Sequence, residues 1–183
     1  MKPFDIARIL APHLNDLGIR YMIGGSVASA YHGVPRTTLD LDLVIEADES
    51  QVRAFAARIE AEFYVDAEDA VDVVTHGGSF NLIHYGTSTK VDIFAVERRE
   101  ALDRRVSIEV GGAVLSMYSA EDIVAQKLHW FRLGGETSER QWHDVVGVLR
   151  MRKGDLDEPY LDRAADAFGV RDLLDLARQD ALN

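Results

Sequence analysis

The chain has 183 residues, of which 47% are hydrophobic, and a formal net charge of −11 at pH 7; these values are typical of a globular domain and exclude a disordered chain. The excess of acidic side chains argues against a protein that coats nucleic acid or docks on anionic lipid, because both need clustered cationic side chains. The sequence contains no cysteine, which excludes disulfides and thiolate catalysis, and no run approaches the roughly 20 apolar residues of a membrane span, so we expect a cytoplasmic protein without membrane contact.

The first part of the chain, residues 1–118, is predicted to form an α/β core. Apolar residues at helical spacing predict a helix over 4–17, and a short β-type strand follows at 19–23. Ser26 is expected to N-cap the next helix, which ends near residue 31. The later elements are predicted as a strand at 39–45, helices at 50–63 (capped by Ser50) and 66–75, strands at 79–84 and 91–96, a helical turn at 99–104, and a hairpin of 106–110 with 113–118.

The second part, residues 119–183, is predicted to contain only helices, at about 120–133, 138–151, 157–168 and 170–180. Ser119 is expected to cap the first of them. Trp130, Phe131 and Trp142 lie at helical spacing and are expected in the core between these helices. The predicted fold class is therefore a mixed α/β sheet with flanking helices, followed by a C-terminal helical region.

The first candidate site is the turn Gly24-Gly25-Ser26, between a predicted strand and a predicted helix. Glycines let the backbone approach a phosphate closely, and a helix N-terminus offers free N–H groups. The turn is neither a Walker A loop nor a GxGxxG fingerprint. The alternative interpretation is a tight turn with a helix cap, because short Gly-Gly-Ser turns are common.

The second candidate is the pair Asp40 and Asp42 on a predicted strand. Side chains two residues apart on a strand share a face, so Leu39, Leu41 and Leu43 are expected to face the core and the two carboxylates to face outward. Adjacent carboxylates repel unless a cation lies between them, and Mg²⁺ prefers such oxygen ligands.

Asp92 is the third candidate, because it is a lone acid within an apolar strand. If its strand neighbours the one with Asp40 and Asp42, three carboxylates converge and could hold one or two divalent metals. The alternative for Asp92 is an edge-strand residue that faces solvent.

The order of these motifs, with Arg36-x-Thr38 before the acidic strand, resembles the nucleotidyltransferase superfamily with the DNA polymerase β-like fold. The stretches that carry the resemblance are GGSVASAYHGVPRTTLDLDLVIE (24–46) and KVDIF (90–94). The combination is far more specific than any one piece of it.

The helical part is similar to the abortive-infection type IV toxin nucleotidyltransferases. In that family a helix presents a lysine and a later helix an aspartate, and within residues 120–149 Lys127 and Asp144 match these positions. The second aspartate of the later motif is replaced by Gly147, which is a departure. Asp144 has an alternative structural role as the ion-pair partner of Lys127 or Arg140.

The resemblance implies a metal-dependent transfer of a nucleoside monophosphate from an NTP to an acceptor. Asp40, Asp42 and Asp92 would hold Mg²⁺ or Mn²⁺, and Lys127 would act in catalysis by offsetting phosphate charge. The residues expected to bind the nucleotide are Gly24, Gly25, Ser26, Arg36, Thr38 and Asp144.

The acceptor and the biological role stay open at this point. The acceptor could be tRNA, a protein side chain or a small molecule, and the resemblance implies an antitoxin partner if the chain is the toxin of a toxin–antitoxin pair. The alternative function, of a different class, is a catalytically silent nucleotide-sensing or partner-binding domain on the same scaffold. The intact set of three aspartates favours the enzyme.

Overall fold

The computed structural model describes residues 2–182, and the chain divides into two compact units. The first unit combines the chain up to Gly24 with Thr38–Met117, and the second combines Gly25–Thr37 with the chain from Tyr118. The segment 25–37 is thus part of the helical unit, although it lies within the first 118 residues. Among the described residues, no helix is long and apolar enough to cross a membrane.

The structure confirms the predicted fold class, a mixed α/β sheet with flanking helices and a helical C-terminal region. The helices are α1 (Pro3–Asp16), α2 (Gly25–His32), α3 (Glu49–Ile59), α4 (Ala67–His76), α5 (Arg99–Asp103), α6 (Ala120–Leu133), α7 (Glu139–Met151), α8 (Glu158–Ala167) and α9 (Arg171–Leu182). The strands are β1 (Arg20–Ile23), β2 (Leu41–Glu46), β3 (Phe63–Tyr64), β4 (Ser79–His84), β5 (Lys90–Ala95), β6 (Val106–Val110) and β7 (Ala113–Met117).

The strands described in the first unit form one sheet in the order β3-β4-β5-β2-β1-β7-β6. β2 runs parallel to β5 and antiparallel to β1, while β4 runs antiparallel to β5. Alternate residues of β4 and β5 are buried, and α1 and α4 pack against strands of this sheet. The side chains at the intervening positions of the two strands are therefore left on the other face.

Three local predictions in the first unit were wrong. Asp48 caps α3 in place of Ser50. Its carboxylate accepts a hydrogen bond from the Gln51 backbone N–H at 2.8 Å, and the Gln51 side-chain oxygen accepts one from the Asp48 backbone N–H. The helix therefore ends earlier than predicted, and β3 follows it. β2 begins at Leu41, so Leu39 lies outside the strand and is exposed instead of facing the core.

The second unit is built around α6, which packs against α7 and α8, while α7 also packs against α9 and α2. Ser119 caps α6 as predicted, through a bond from the Asp122 backbone N–H. The prediction for Trp130 was wrong, because this side chain is exposed, whereas the rings of Phe131 and Trp142 lie 5.3 Å apart. A helix exposes some positions on its flanks even where the period is regular, and Trp130 occupies one of them.

The end of α2 is fixed to the rest of the helical unit by polar contacts. The buried His32 ring lies 2.7 Å through its Nε2 from the Tyr118 carbonyl oxygen, and Arg152 donates to the His32 carbonyl at 3.2 Å. Burial lowers the pKa of His32 despite the hydrogen bond to Tyr118, so the ring is neutral at pH 7. These contacts explain why a segment so early in the chain belongs to the helical unit.

The crossing of α2 and α7 depends on two glycines. A Cβ at Gly33 would lie 2.8 Å from the Val148 nitrogen and 2.9 Å from the Ser29 carbonyl oxygen. A Cβ at Gly147 would lie 3.2 Å from Cγ2 of Val34. The two backbones approach so closely that a side chain at Gly33 has no room.

We expect Gly33→Ala to lower the free energy of unfolding by about 1–3 kcal/mol, because the added methyl group meets backbone atoms that cannot rotate away. Urea unfolding of the two proteins measures the difference. Gly134→Ala is the milder comparison in the same unit, since its Cβ would lie 3.3 Å from the Trp130 carbonyl oxygen, and it should lose less stability. Equal losses in both variants would contradict the proposed role of the close crossing.

Candidate active site

Two carboxylates are brought side by side by the parallel pairing of β2 with β5. Asp42 lies in register with Asp92, and both are half-buried on the face of the sheet opposite the core positions Leu41 and Val91. The backbone N–H of Gly24 donates to the Asp42 carbonyl at 2.9 Å, which fixes the turn beside this strand. The condition set by the sequence, that the strand of Asp92 neighbours the strand after Asp40, is met by this pairing.

Asp40 lies just before β2 and is exposed. The Thr38 hydroxyl donates to the Asp40 carbonyl oxygen at 3.4 Å, so Thr38 contacts the backbone of the segment that precedes β2. We call Asp40, Asp42 and Asp92 the carboxylate cluster.

Lys90 is part of this region and was not predicted as a site residue. Its ammonium lies 2.7 Å from the Asp92 carboxylate, and its pKa is raised first by this bond and then by the charges of Asp92, Asp40 and Asp42. Lys90 is two residues before Asp92 on one strand, so the rule that placed Asp40 beside Asp42 would also have found it.

The carboxylate cluster has the chemistry of a site for a hard divalent cation. Its donors are carboxylate oxygens, which suit Mg²⁺ and Mn²⁺, and it already holds one cation, the Lys90 ammonium. Within residues 2–182, however, no three His, Cys, Asp or Glu side chains are arranged as a complete set of metal ligands. Protein ligands for Mg²⁺ are usually one or two carboxylates, with water and phosphate oxygens completing the shell, so the donor set fits such an ion.

A second charged cluster lies within the helical unit, where one carboxylate is held by two cations. Asp144 on α7 accepts from Arg36 at 2.9 Å and from Lys127 on α6 at 2.9 Å. The side chains of Lys127 and Asp144 are only 6% and 8% exposed. We call Arg36, Lys127 and Asp144 the Asp144 cluster.

Neutral side chains complete the hydrogen bonds of the Asp144 cluster. Arg36 donates to the Ser26 hydroxyl at 2.5 Å, Ser29 donates to Asp144 at 3.1 Å, and Lys127 donates to Gln141 at 2.8 Å. Ser26 and Ser29 lie one turn apart on α2, which begins at Gly25 with a φ of 52°. The expected N-cap role of Ser26 was therefore wrong, since Ser26 lies inside the helix and its hydroxyl accepts from Arg36.

The electrostatics of the Asp144 cluster favour the charged forms of Asp144 and Arg36. Burial alone would raise the pKa of Asp144, but the hydrogen bond from Arg36 and the charge of Lys127 outweigh it and lower this pKa below its ordinary value. The bond to Asp144 in turn raises the pKa of Arg36.

Lys127 is buried and paired with Asp144, because a buried ammonium needs a counter-charge and this carboxylate supplies it. The structural alternative for Asp144, an ion pair with Lys127, is thus present, and the second partner is Arg36 while Arg140 is exposed. Sequence reasoning missed Ser29 and Gln141, although each lies one helical turn from a residue of the motifs.

The comparisons with known proteins agree with this architecture. The model of the family described as "Nucleotidyl transferase AbiEii toxin, Type IV TA system" matches residues 9–182. A search of curated proteins gives no match.

Solved structures with a similar fold include an antigenic nucleotidyltransferase-like protein from Paracoccidioides brasiliensis, at 19% identity and a TM-score of 0.55, over 97% of this chain and 92% of that one. The antibiotic-resistance factor ANT(2'')-Ia is similar at 12% identity and a TM-score of 0.55, over 93% and 94% of the two chains. A putative nucleotidyltransferase from Thermotoga maritima is similar at 17% identity and a TM-score of 0.53, over 76% and 91%. At these identities the likeness shows a shared fold.

We expect Asp144→Asn to lower the free energy of unfolding by about 3–5 kcal/mol at neutral pH, because it leaves two cations without their counter-charge. The pKa of Asp144 is lower in the fold than in the unfolded chain, so its charge stabilises the fold above the unfolded value of about 3.9 and this contribution is lost as the pH falls through the folded value. The difference between the two proteins should therefore shrink in acid. Urea unfolding at neutral and acidic pH measures it.

Asp155→Asn is the matched control, because Asp155 is an exposed aspartate of the same unit. It should change stability by less than about 0.5 kcal/mol at either pH. The role of the ion pairs would be contradicted if Asp144→Asn lost as little stability as Asp155→Asn, or if its loss of stability were the same in acid as at neutral pH.

Proposed function

Because the chain belongs to the nucleotidyl transferase AbiEii toxin family, we propose that it is a metal-dependent enzyme that transfers a nucleoside monophosphate from an NTP to an acceptor. An acceptor oxygen attacks the α-phosphorus, the bond from that phosphorus to the bridging oxygen breaks, and pyrophosphate leaves. Little covalent chemistry is required of the protein in such a reaction, so catalysis consists of positioning and charge stabilisation. The observation that carries the proposal is the in-register pair of carboxylates on the face of the sheet opposite the core positions Leu41 and Val91.

In the first unit, Asp42 and Asp92 would hold the divalent cation and Asp40 would support it from the segment before β2. When bound, such a cation neutralises phosphate charge and lowers the pKa of a hydroxyl group bound to it. Asp92 would also orient the acceptor hydroxyl and accept its proton. The parallel register supports this assignment, because it fixes the spacing of the two carboxylates without any loop.

In the second unit, Ser26 and Arg36 would bind anionic oxygens of the nucleotide, together with free N–H groups at the start of α2 near Gly25. Lys127 would add charge from a buried position. Asp144 would act as a positioning residue, since its two ion pairs hold both cations in one orientation. Gly24 and Thr38 would shape the backbone on either side of this segment.

The family description supports a toxin of a toxin–antitoxin pair, and we extend that role and an antitoxin partner to this chain. The acceptor is a tRNA, a protein or a small molecule. One solved neighbour is ANT(2'')-Ia in complex with adenylyl-2''-tobramycin, which supports including a small molecule among the acceptor classes.

A second function, nucleotide sensing without transfer, is favoured by one observation. Both cations of the Asp144 cluster are paired with the same carboxylate, so part of their charge is already offset within the protein. A scaffold of this kind would bind a nucleotide and change a partner's affinity without catalysis.

We expect Asp42→Asn and Asp92→Asn each to lower transfer by at least about 100-fold, because each removes a negative oxygen donor for the cation. The measurement uses purified protein, each α-labelled NTP in turn, Mg²⁺ or Mn²⁺, and cell extract as the source of acceptor. Glu109→Gln is the matched control, since it removes an exposed carboxylate from β6 of the same sheet. Wild-type labelling by Asp42→Asn and Asp92→Asn would contradict the enzyme proposal.

We expect Mg²⁺ and the preferred NTP together to raise the melting temperature by roughly 5–10 °C, and either alone to have little effect. A ligand at a hundredfold excess over its Kd adds about 2.7 kcal/mol, and a domain of this size gains about 2–4 °C per kcal/mol. The NTP alone meets carboxylates as like charges, and Mg²⁺ alone gives up its waters reluctantly. Asp42→Asn should remove the shift, and a shift without any labelling of an acceptor would favour the sensor.

A further inference from the structure

Lys90 contacts the carboxylate cluster, but the proposed reaction gives it no role. It precedes Asp92 by two positions on β5, so both side chains lie on the same face of the sheet, and its ammonium lies 2.7 Å from the Asp92 carboxylate. The side chain of Lys90 is 50% exposed, while that of Asp92 is 21% exposed.

Lys90 has acidic neighbours on the side where β5 pairs with β2. Asp42 lies across the strand pair from Asp92, and the charges of Asp40 and Asp42 also attract the Lys90 ammonium. Carboxylates gathered in this way repel one another, and a cation placed among them relieves the repulsion. In the structure that cation is a side chain of the protein itself.

We infer that Lys90 is a resident counter-ion of the carboxylate cluster and competes with the divalent cation for Asp92. The inference rests on the proposed function, because it takes the carboxylate cluster as the metal site. Binding of the metal then requires the Lys90 ammonium to leave Asp92.

The geometry makes simultaneous binding unfavourable. An ammonium at 2.7 Å from a carboxylate and a divalent ion at about 2.0–2.1 Å from the same group would be close neighbours of like charge. Lysine has a flexible four-carbon stem and a strongly hydrated head, so an exposed Lys90 can swing into water when the metal arrives. An arginine, with its fixed fork of donors, would be harder to displace.

A displaceable internal cation has a consequence for ligand choice. A monovalent ion gains little by replacing an ammonium of equal charge, whereas a divalent ion brings an extra positive charge to the carboxylates. Lys90 thereby weakens the binding of metal alone and favours a divalent ion that arrives with nucleotide phosphates.

The test is direct binding of Mn²⁺ to the full chain without nucleotide. Binding is measured by calorimetry and by the electron paramagnetic resonance signal of free Mn²⁺. We expect Lys90→Met to bind Mn²⁺ about two- to fivefold more tightly, the range that corresponds to the strength of exposed ion pairs. Lys90→Gln serves as a second uncharged variant, and Lys90→Arg should bind Mn²⁺ no more tightly than the wild type. Lys153→Met, which removes an exposed lysine elsewhere, should leave the affinity unchanged.

The outcomes separate this inference from the proposed function. In one outcome the wild type binds Mn²⁺, Asp92→Asn weakens that binding, and Lys90→Met and Lys90→Gln do not tighten it. Lys90 then does not compete with the metal, and the inference is overturned while the metal site stands. If the wild type binds no Mn²⁺ and Lys90→Met and Lys90→Gln bind none either, removal of the ammonium does not open the carboxylates to a metal and the inference is overturned, while the proposed function is decided separately by the labelling assay with NTP and metal together. Tighter binding by Lys90→Met that Asp92→Asn abolishes in the double variant supports the inference.

Discussion

Repulsion between neighbouring carboxylates is the constraint on which the first unit's site depends. The parallel register of β2 and β5 places Asp42 beside Asp92, and no rotation of the strands can separate them without breaking the backbone ladder. A cation is therefore needed at this face, whether it comes from the protein or from solution. The second unit shows the opposite arrangement, in which two cations share the carboxylate of Asp144.

The two clusters thus differ in the charge of the residues that form them. In the carboxylate cluster three acidic side chains surround Lys90, which is the charge pattern of the proposed metal site. In the Asp144 cluster two cations contact one carboxylate, which is the charge pattern of the proposed nucleotide site. An acidic chain can bind an anionic substrate in this way, because the relevant charge is local while the net charge of −11 is spread over the whole surface.

Much of this could be predicted from the sequence, because strand and helix periods are local signals. The strands with Asp42 and Asp92 and the helices of the second unit were predicted from spacing, whereas Lys127 and Asp144 were singled out by the family resemblance. The burial of Lys127 could not be predicted, since a lysine on a helix is ordinarily solvated and only the packing of α6 against α7 encloses it. The contact of Arg36 with Ser26 depends on how the loop after α2 folds back onto the helix, and helix and strand periodicity carries no information about that.

The position of α2 in the helical unit has a consequence for how the chain is made. Residues 25–37 leave the ribosome early, but the helices that bury them, α6 and α7, are completed only near residue 151. At a synthesis rate of ~5–20 residues per second, the apolar side of α2 waits several seconds for its partners. During translation the nascent sheet can assemble before this segment does, and the Asp144 cluster can form only after α6 and α7 have been synthesised.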